Sequence, residues 1–517
     1  MSNLTHLIER AVQVSGSTIA TVCNGRRRTY VESAGRIARF AGALQSLGCQ
    51  PGTRIAVLSL NNDRYFECYF AVPWAGCEIV PLNTRWSVAE NLYSLNDSEA
   101  EVLIFDDAFA GAVEEILSQS KKIRLAIHIG DAETPAWAKP YEELIQKTAP
   151  IENVNVPADS RYGIFYTGGT TGFPKGVMLT HTAIWSSGIC GTIDFDIDEN
   201  SIYLHTAPMF HLADFAGLVG TTIKAGTHIF MSVFDPGTVP EVIAEHGVTH
   251  VILVPVMIKM VLDNPAIDEF DLSGLKRIIY GASPITVTVL EQAMKKLPAC
   301  GLAQAYVQTE LAPLATILKP EHHFVGSPKL RSAGRPTYCV NVKVVDTDGH
   351  EIPRGEVGEI IVSGPNTMLG YWNKPEQTAA ALKDGWVYTG DAGRMDEDGF
   401  LYIADRVKDM IVTGGENVFS AEVENAISAH ENVADVAVIG IPSDEWGESV
   451  HAIVILHEPA TATGDDIIQH CKELIAGYKC PKSVEFQTGP FPLSGANKVL
   501  KTELRKPYWD GLERLVN

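Results

Sequence analysis

Residues 166–177 read Tyr-Thr-Gly-Gly-Thr-Thr-Gly-Phe-Pro-Lys-Gly-Val. Four glycines (Gly168, Gly169, Gly172, Gly176), three threonines (Thr167, Thr170, Thr171) and one lysine, Lys175, fall within this stretch. An apolar run, Tyr162 to Tyr166, leads in, and another, Val177 to Leu179, leads out. Thr180 then offers an oxygen to cap a helix that starts near His181. The stretch therefore predicts strand, glycine-rich loop, strand. Glycine lets backbone N–H groups turn toward a ligand through conformations other residues avoid. The hydroxyls add donors and Lys175 adds a point charge, a combination suited to a polyphosphate. The loop Gly-x-x-x-x-Gly-Lys-Ser/Thr is excluded by spacing, because Pro174 precedes Lys175 and Gly176 follows it. Glycine content alone reads as a flexible hairpin tip.

Taken whole, the stretch resembles the phosphate loop of the adenylate-forming superfamily: acyl-CoA synthetases, aryl-CoA ligases, luciferases and peptide-synthetase adenylation domains. Composition agrees with such an enzyme. A chain of 517 residues exceeds one hydrophobic core, so two or more domains are expected. The net charge of −22 argues against broad binding to nucleic acid or an anionic membrane. An anionic substrate must then be held by local donors and a metal. The longest apolar stretch, Val248 to Leu262, is broken by His250, Pro255 and Lys259, so no membrane span is expected. The N-terminus shows no signal-peptide pattern. Nine scattered cysteines without a Cys-x-x-Cys pair read as reduced thiols of a cytoplasmic protein.

Up to about residue 160, helical spacing over Tyr30 to Leu47 and Tyr65 to Ala75 alternates with apolar strands at Arg54 to Leu60, Cys77 to Pro81, Val102 to Phe105 and Leu125 to Ile129. This predicts parallel α/β layers. Further on, Thr206 to Leu212 places His211 beside Phe210. A His in that setting is ordinarily a satisfied core group; by the resemblance it borders the acyl pocket. His205 and His211 lack a third metal ligand, and the adjacent His322 and His323 do not converge on one ion. The strand Leu275 to Tyr280 runs into Gly281-Ala282-Ser283, small residues that leave room for a flat ring; the resemblance makes this the adenine-facing segment.

Ala303 to Glu310, Ala-Gln-Ala-Tyr-Val-Gln-Thr-Glu, is similar to the superfamily's Tyr-Gly-x-Thr-Glu segment. The resemblance implies that Tyr306 stacks on adenine, Thr309 contacts the α-phosphate and Glu310 ligates Mg²⁺, an ion that prefers few carboxylates plus phosphate oxygens. Val307 replaces the usual glycine on the acyl-pocket wall and implies a short or redirected pocket, with His211 and Trp185 as further lining candidates. Asn341 to Val345 and Gly358 to Val362 predict a hairpin of a β subdomain. By the same resemblance Asp391 and Arg406 hold the ribose, Lys408 is the hinge, and Gly414-Gly415-Glu416-Asn417 form a loop that meets the acyl group when the thiol attacks. Without its neighbours, Asp391 reads equally as a turn aspartate. Tyr478 half-matches a CoA nucleotide contact, with Lys479 or Lys482 as substitutes, and Lys498 matches the catalytic lysine of a C-terminal loop.

The expectation is an α/β enzyme with a large multilayer N-terminal domain over residues 1–405, which includes a β subdomain, and a small mobile α+β lid over 406–517. Its function is that of an ATP-dependent acid–CoA ligase working through an acyl adenylate on a short- to medium-chain fatty or similar acid. Aryl acids and a non-CoA acceptor are the alternatives, and a nucleotide-binding regulatory protein is the rival from another class. ATP, Mg²⁺, CoA and a small carboxylic acid are the implied partners; the oligomeric state is not readable from the sequence, which is compatible with a homodimer.

Overall fold

The computed structural model describes residues 3–167, 174–282, 285–406, 410–413, 416–443, 446–493 and 499–509. The expected loop flanks form: Arg161–Thr167 and Lys175–Thr180 pair antiparallel, with Thr167 opposite Lys175. Thr180 Oγ1 accepts from Ala183 N at 3.0 Å and starts the helix His181–Asp194.

Two sheets make up the large N-terminal part. One has eight strands in the order Gly370–Tyr371, Lys175–Thr180, Arg161–Thr167, Glu78–Pro81, Arg54–Leu58, Val102–Phe105, Leu125–His128, Lys139–Pro140. It is parallel from Arg161–Thr167 outward, with the first two strands added antiparallel. The other has nine strands, and its centre runs Gly301–Val307, Arg277–Gly281, His250–Ile252, Ile202–His205, Thr227–Phe230 in parallel. Strands such as Val102–Phe105, buried at every residue, are apolar throughout because helices cover both faces. Helix Asp63–Trp74 is buried at all twelve positions, and Leu212–Ile223 at nearly all. Both contribute to the core shared with the eight-stranded sheet, through Tyr65, Phe66, Tyr69 and Phe70 of the first and Leu212, Phe215 and Leu218 of the second.

Boundaries depart from the sequence expectation where side chains intervene. The strand expected to reach Leu60 stops at Leu58, since the Asp106 carboxylate takes Leu60 N at 2.6 Å. The helix expected from Tyr65 starts at Asp63, because Asn62 Oδ1 accepts from Tyr65 N at 2.8 Å.

The β subdomain has Asn341–Val345, Gly358–Ser363, Trp386–Met395 and Leu382–Lys383 in order, and Leu401–Arg406 pairs with Trp386–Met395. The expected hairpin pairs antiparallel, Asn341 with Ser363, although its connection continues past the Asp346–Gly349 turn through a bridge of Val345 to Glu351. A last five-stranded sheet, with helices Ser420–Ser428, Gly464–Leu474 and Lys501–Trp509, forms the small α+β part. Here one expectation is corrected. Glu416 and Asn417 lie in a strand, Glu416–Val418, with Glu416 opposite Thr413. Only Gly414 and Gly415 separate the two β-prone runs, and so short a connection favours strand pairing over an open loop.

All nine cysteines are free thiols; Cys190 and Cys339 bring their sulfurs to 3.0 Å. Among the described residues no helix is long and apolar enough to cross a membrane.

Candidate active site

The antiparallel edge of the eight-stranded sheet assembles the first part of the site. Tyr371 pairs with Val177, two residues beyond Lys175, so the Tyr371 ring comes beneath the ammonium: Lys175 Nζ stands 5.1 Å from its centroid. Tyr371 Oη donates to Glu310 Oε1 at 2.8 Å. Glu310 sits in the short helix Thr309–Leu311, and its carbonyl accepts from Met368 N at 2.9 Å. Lys175, Tyr371 and Glu310 thus form a continuous chain from the loop end to a buried carboxylate. Burial pushes the Tyr371 hydroxyl up, and the Glu310 charge beside it adds to the effect, so Tyr371 remains a donor.

Glu310 is nearly buried, and its Oε1 is taken by Tyr371. Its Oε2 has no such donor among the described residues. One carboxylate oxygen left without a donor among the described residues fits Mg²⁺ held chiefly by phosphate oxygens.

Strand Gly301–Val307 carries the second part. Tyr306 Oη donates to Asp391 Oδ2 at 2.6 Å, joining the nine-stranded sheet to the β subdomain, and Asp391 stands opposite Arg406 in register. Gln308 Nε2 adds a bond to Thr389 O at 2.9 Å. Successive side chains of a strand face opposite ways: Ala305 and Val307 line an apolar pocket. Gly281 also lines it and must be glycine, because a Cβ there would meet Ala305 O at 2.0 Å. Ala282 follows with φ 64°, in the left-handed region. No charged side chain faces this cavity among the described residues; Phe195, Ala213, Ala216, Ile252 and Leu314 complete its character.

His211 and Trp185 do not line that cavity. His211 caps helix Leu212–Ile223, its Nδ1 accepting from Ala213 N at 3.4 Å, so its neighbour Ala213 faces the pocket instead. Trp185 packs against the core of the eight-stranded sheet. His205 is wholly buried between Asp214 Oδ2 at 2.8 Å and His228 Nδ1 at 3.0 Å. In the small domain Tyr478 is exposed, Lys479 is paired with Glu422 at 2.7 Å, Cys480 is buried and Lys482 is exposed. Gly168, Gly169, Thr170, Thr171, Ser283, Lys408, Gly414, Gly415 and Lys498 lie outside the described residues, as do the side chains of Arg406 and Glu416. Next to Lys498, Val499 bridges Leu493, and Lys501 pairs with Glu424 at 2.7 Å.

Residues 8–372 match the model of the AMP-binding enzyme family, and residues 422–498 match that of the AMP-binding enzyme C-terminal domain. The chain belongs to the AMP-binding enzyme family. This AMP-binding enzyme is 37% identical over 503 residues to a feruloyl-CoA synthase of Amycolatopsis sp., covering 96% of this chain and 98% of that one. It is 36% identical over 529 residues to the medium/long-chain-fatty-acid–CoA ligase FadD8 of Mycobacterium tuberculosis, covering 99% and 91%. Its fold superposes on the amide bond synthetase McbA from Marinactinospora thermotolerans with a TM-score of 0.89 at 28% identity, over 98% of this chain and all of that one. It is an AMP-forming acid–CoA ligase.

Sequence reading of this AMP-binding enzyme passed over Tyr371, Tyr203 and the small residues of helix Leu212–Ile223. Tyr371 lies far from Glu310 along the chain, and nothing in Gly370-Tyr371-Trp372 signals a polar role. The alanines and glycines of Leu212–Ile223 were a legible signal: small residues on an otherwise apolar buried helix leave space.

Proposed function

We propose that this enzyme joins an apolar-bodied carboxylic acid, aromatic or of medium chain length, to CoA in two steps served by one site. The carrying observation is that strand Gly301–Val307 presents Tyr306 to Asp391 and directs Ala305 and Val307 into an uncharged pocket. Nucleotide and acid would then meet where the strand ends, at Thr309 and Glu310.

In the first step a carboxylate oxygen of the acid attacks the α-phosphorus of ATP, and the bond to the bridging oxygen of the β-phosphate breaks. Pyrophosphate leaves with that electron pair. Catalysis of this step is largely positioning and charge stabilisation. Thr167, Thr170, Thr171, Lys175 and the amides of Gly168 and Gly169 hold the β- and γ-phosphates. Thr309 contacts the α-phosphate and Lys498 its developing charge. Tyr306 and the Gly281–Ser283 turn flank the adenine, while Asp391 and Arg406 take the ribose. Glu310 would hold Mg²⁺, which supplies electrostatic stabilisation of phosphate charge when bound. In the second step the CoA thiol, losing its proton to solvent, attacks the acyl carbon, and the carbon–oxygen bond to AMP breaks. Residues 406–517 act as a lid turning at Lys408, which exchanges Lys498 for Gly414, Gly415 and Glu416. Tyr478 and Lys482 remain the small-domain groups free to meet the CoA nucleotide. Nine free thiols support a reducing, cytoplasmic setting.

A second reading, transfer to an amine or carrier thiol instead of CoA, is favoured by the half-matched Tyr478 region and the likeness to an amide synthetase. The test is AMP release over an acid panel with and without CoA. CoA-dependent release with thioester formation supports the ligase reading. Pyrophosphate exchange with CoA-independent turnover points to another acceptor, and absence of exchange with every acid defeats both.

A further inference from the structure

Seven tyrosines are fully buried: Tyr30, Tyr65, Tyr69, Tyr141, Tyr162, Tyr203 and Tyr280. Six have their hydroxyls engaged. Tyr30 donates to Gly226 O at 2.7 Å, Tyr69 to Met209 O at 2.5 Å, Tyr141 to Glu67 at 2.7 Å and Tyr162 to Tyr69 O at 2.7 Å. Tyr65 shares a bond with Tyr69 at 3.2 Å, and Tyr280 pairs with His323 Nε2 at 2.8 Å. Tyr203 is the exception, with no hydrogen-bond partner among the described residues. Buried polar groups are almost always paired, so an orphan calls for an explanation.

Its position supplies one. Tyr203 lines the apolar pocket, and its oxygen is not among the atoms sealed in the core. Among the described residues only Tyr203 and Tyr280 bring a polar side-chain atom to the pocket, and the Tyr280 hydroxyl is spent on His323. The Tyr203 ring is held rigidly. It rests on His205 with centroids 4.8 Å apart, and Gly217 lies so close that an added Cβ would meet Tyr203 Oη at 2.2 Å. His205 is itself fixed by Asp214 and His228. Strand Ile202–His205 is three places across the sheet from Gly301–Val307, which carries Tyr306. At the usual strand spacing that is roughly 14 Å, so Tyr203 marks the end of the pocket remote from the reacting carboxylate.

We infer that Tyr203 is a specificity-determining residue whose hydroxyl hydrogen-bonds an oxygen at the far end of the acid's otherwise apolar body. Preferred substrates are accordingly apolar acids that carry a distal hydroxyl or ether oxygen, on a ring or a chain, rather than plain hydrocarbon acids. The inference rests on the reading of this pocket as the acid site. A rigid donor left unsatisfied by a hydrocarbon discriminates more strongly than a merely apolar wall does.

The test compares wild type with Tyr203→Phe on two matched pairs, 4-hydroxycinnamate with cinnamate and 8-hydroxyoctanoate with octanoate, reading kcat/KM for AMP release with CoA. In at least one pair the wild type should prefer the oxygenated acid by about 10- to 100-fold. Tyr203→Phe should erase that preference while leaving the plain acid equal or better. Equal use of both members of each pair by wild type, or a preference that survives in Tyr203→Phe, overturns the inference and leaves the ligase reading standing. Turnover of no acid by wild type defeats the ligase reading and the inference with it. Should Tyr203→Phe lose its fold by thermal melting, the wild-type preference and tightened binding of 4-hydroxycinnamate over cinnamate by calorimetry decide the matter.

Discussion

The Tyr371 hydroxyl donates to Glu310 Oε1 at 2.8 Å while the Tyr371 ring carries the Lys175 ammonium 5.1 Å above its centroid. One side chain therefore orients both the carboxylate proposed to hold the metal and the lysine proposed to hold phosphate. Tyr371→Phe keeps the ring and removes the donor. A hydrogen bond to a charged group contributes about 2 kcal/mol, so pyrophosphate exchange should slow by roughly thirtyfold, with a raised Mg²⁺ requirement. Tyr371→Leu should cost a further few-fold as the ring contact goes. Unchanged exchange in both variants would show that Tyr371 orients neither group.

Lys498→Ala should abolish most adenylation yet spare thioester formation from a supplied acyl adenylate. Lys408→Pro should show the reverse. Single-turnover assays of the two half-reactions measure this directly, and equal loss of both steps in Lys498→Ala would remove the assigned role.

Val307 stands on the pocket wall. Val307→Gly should extend the cavity by about three carbons' worth of contact. At about 0.8 kcal/mol per buried methylene, acids longer by one or two carbons should gain roughly tenfold in kcat/KM, without a gain for the shortest acids. A chain-length profile that does not move would place the limit elsewhere.

His181 and His250 are buried, and burial pulls both down to about 4. His181 Nδ1 accepts from Leu4 N at 3.1 Å, which requires the neutral ring. In the unfolded chain each titrates near 6.5. The stabilising difference is therefore complete above about pH 6.5 and is lost as pH falls toward 4, at about 1.4 kcal/mol per pH unit for each ring. Thermal midpoints should drop across that window. His181→Asn, whose amide oxygen can still accept from Leu4 N, should flatten the slope by about one proton; an unaltered slope would acquit His181.

Much of the fold is legible in the sequence alone. The strand–loop–strand around Lys175 and the cap at Thr180 followed from local chemistry, since a glycine-rich run between apolar runs has few other solutions. The alternation of apolar strands and helices implied layers, and Val102–Phe105 appears with the bounds expected. Where expectation failed, the competing interaction came from a distant residue. Asp106 ended a strand early, its carboxylate taking the amide of Leu60.

From the order of residues alone came the family, the layered α/β class and the motif residues Lys175, Tyr306, Glu310 and Asp391, because these depend on short-range patterns of charge, glycine and periodicity. The tertiary structure decided who touches whom: Tyr371 on Glu310, Tyr306 on Asp391, and the Tyr203 hydroxyl, without a partner among the described residues, in an apolar cavity. Such contacts arise where strands remote in sequence become neighbours in a sheet, and no local rule of propensity or spacing encodes that adjacency.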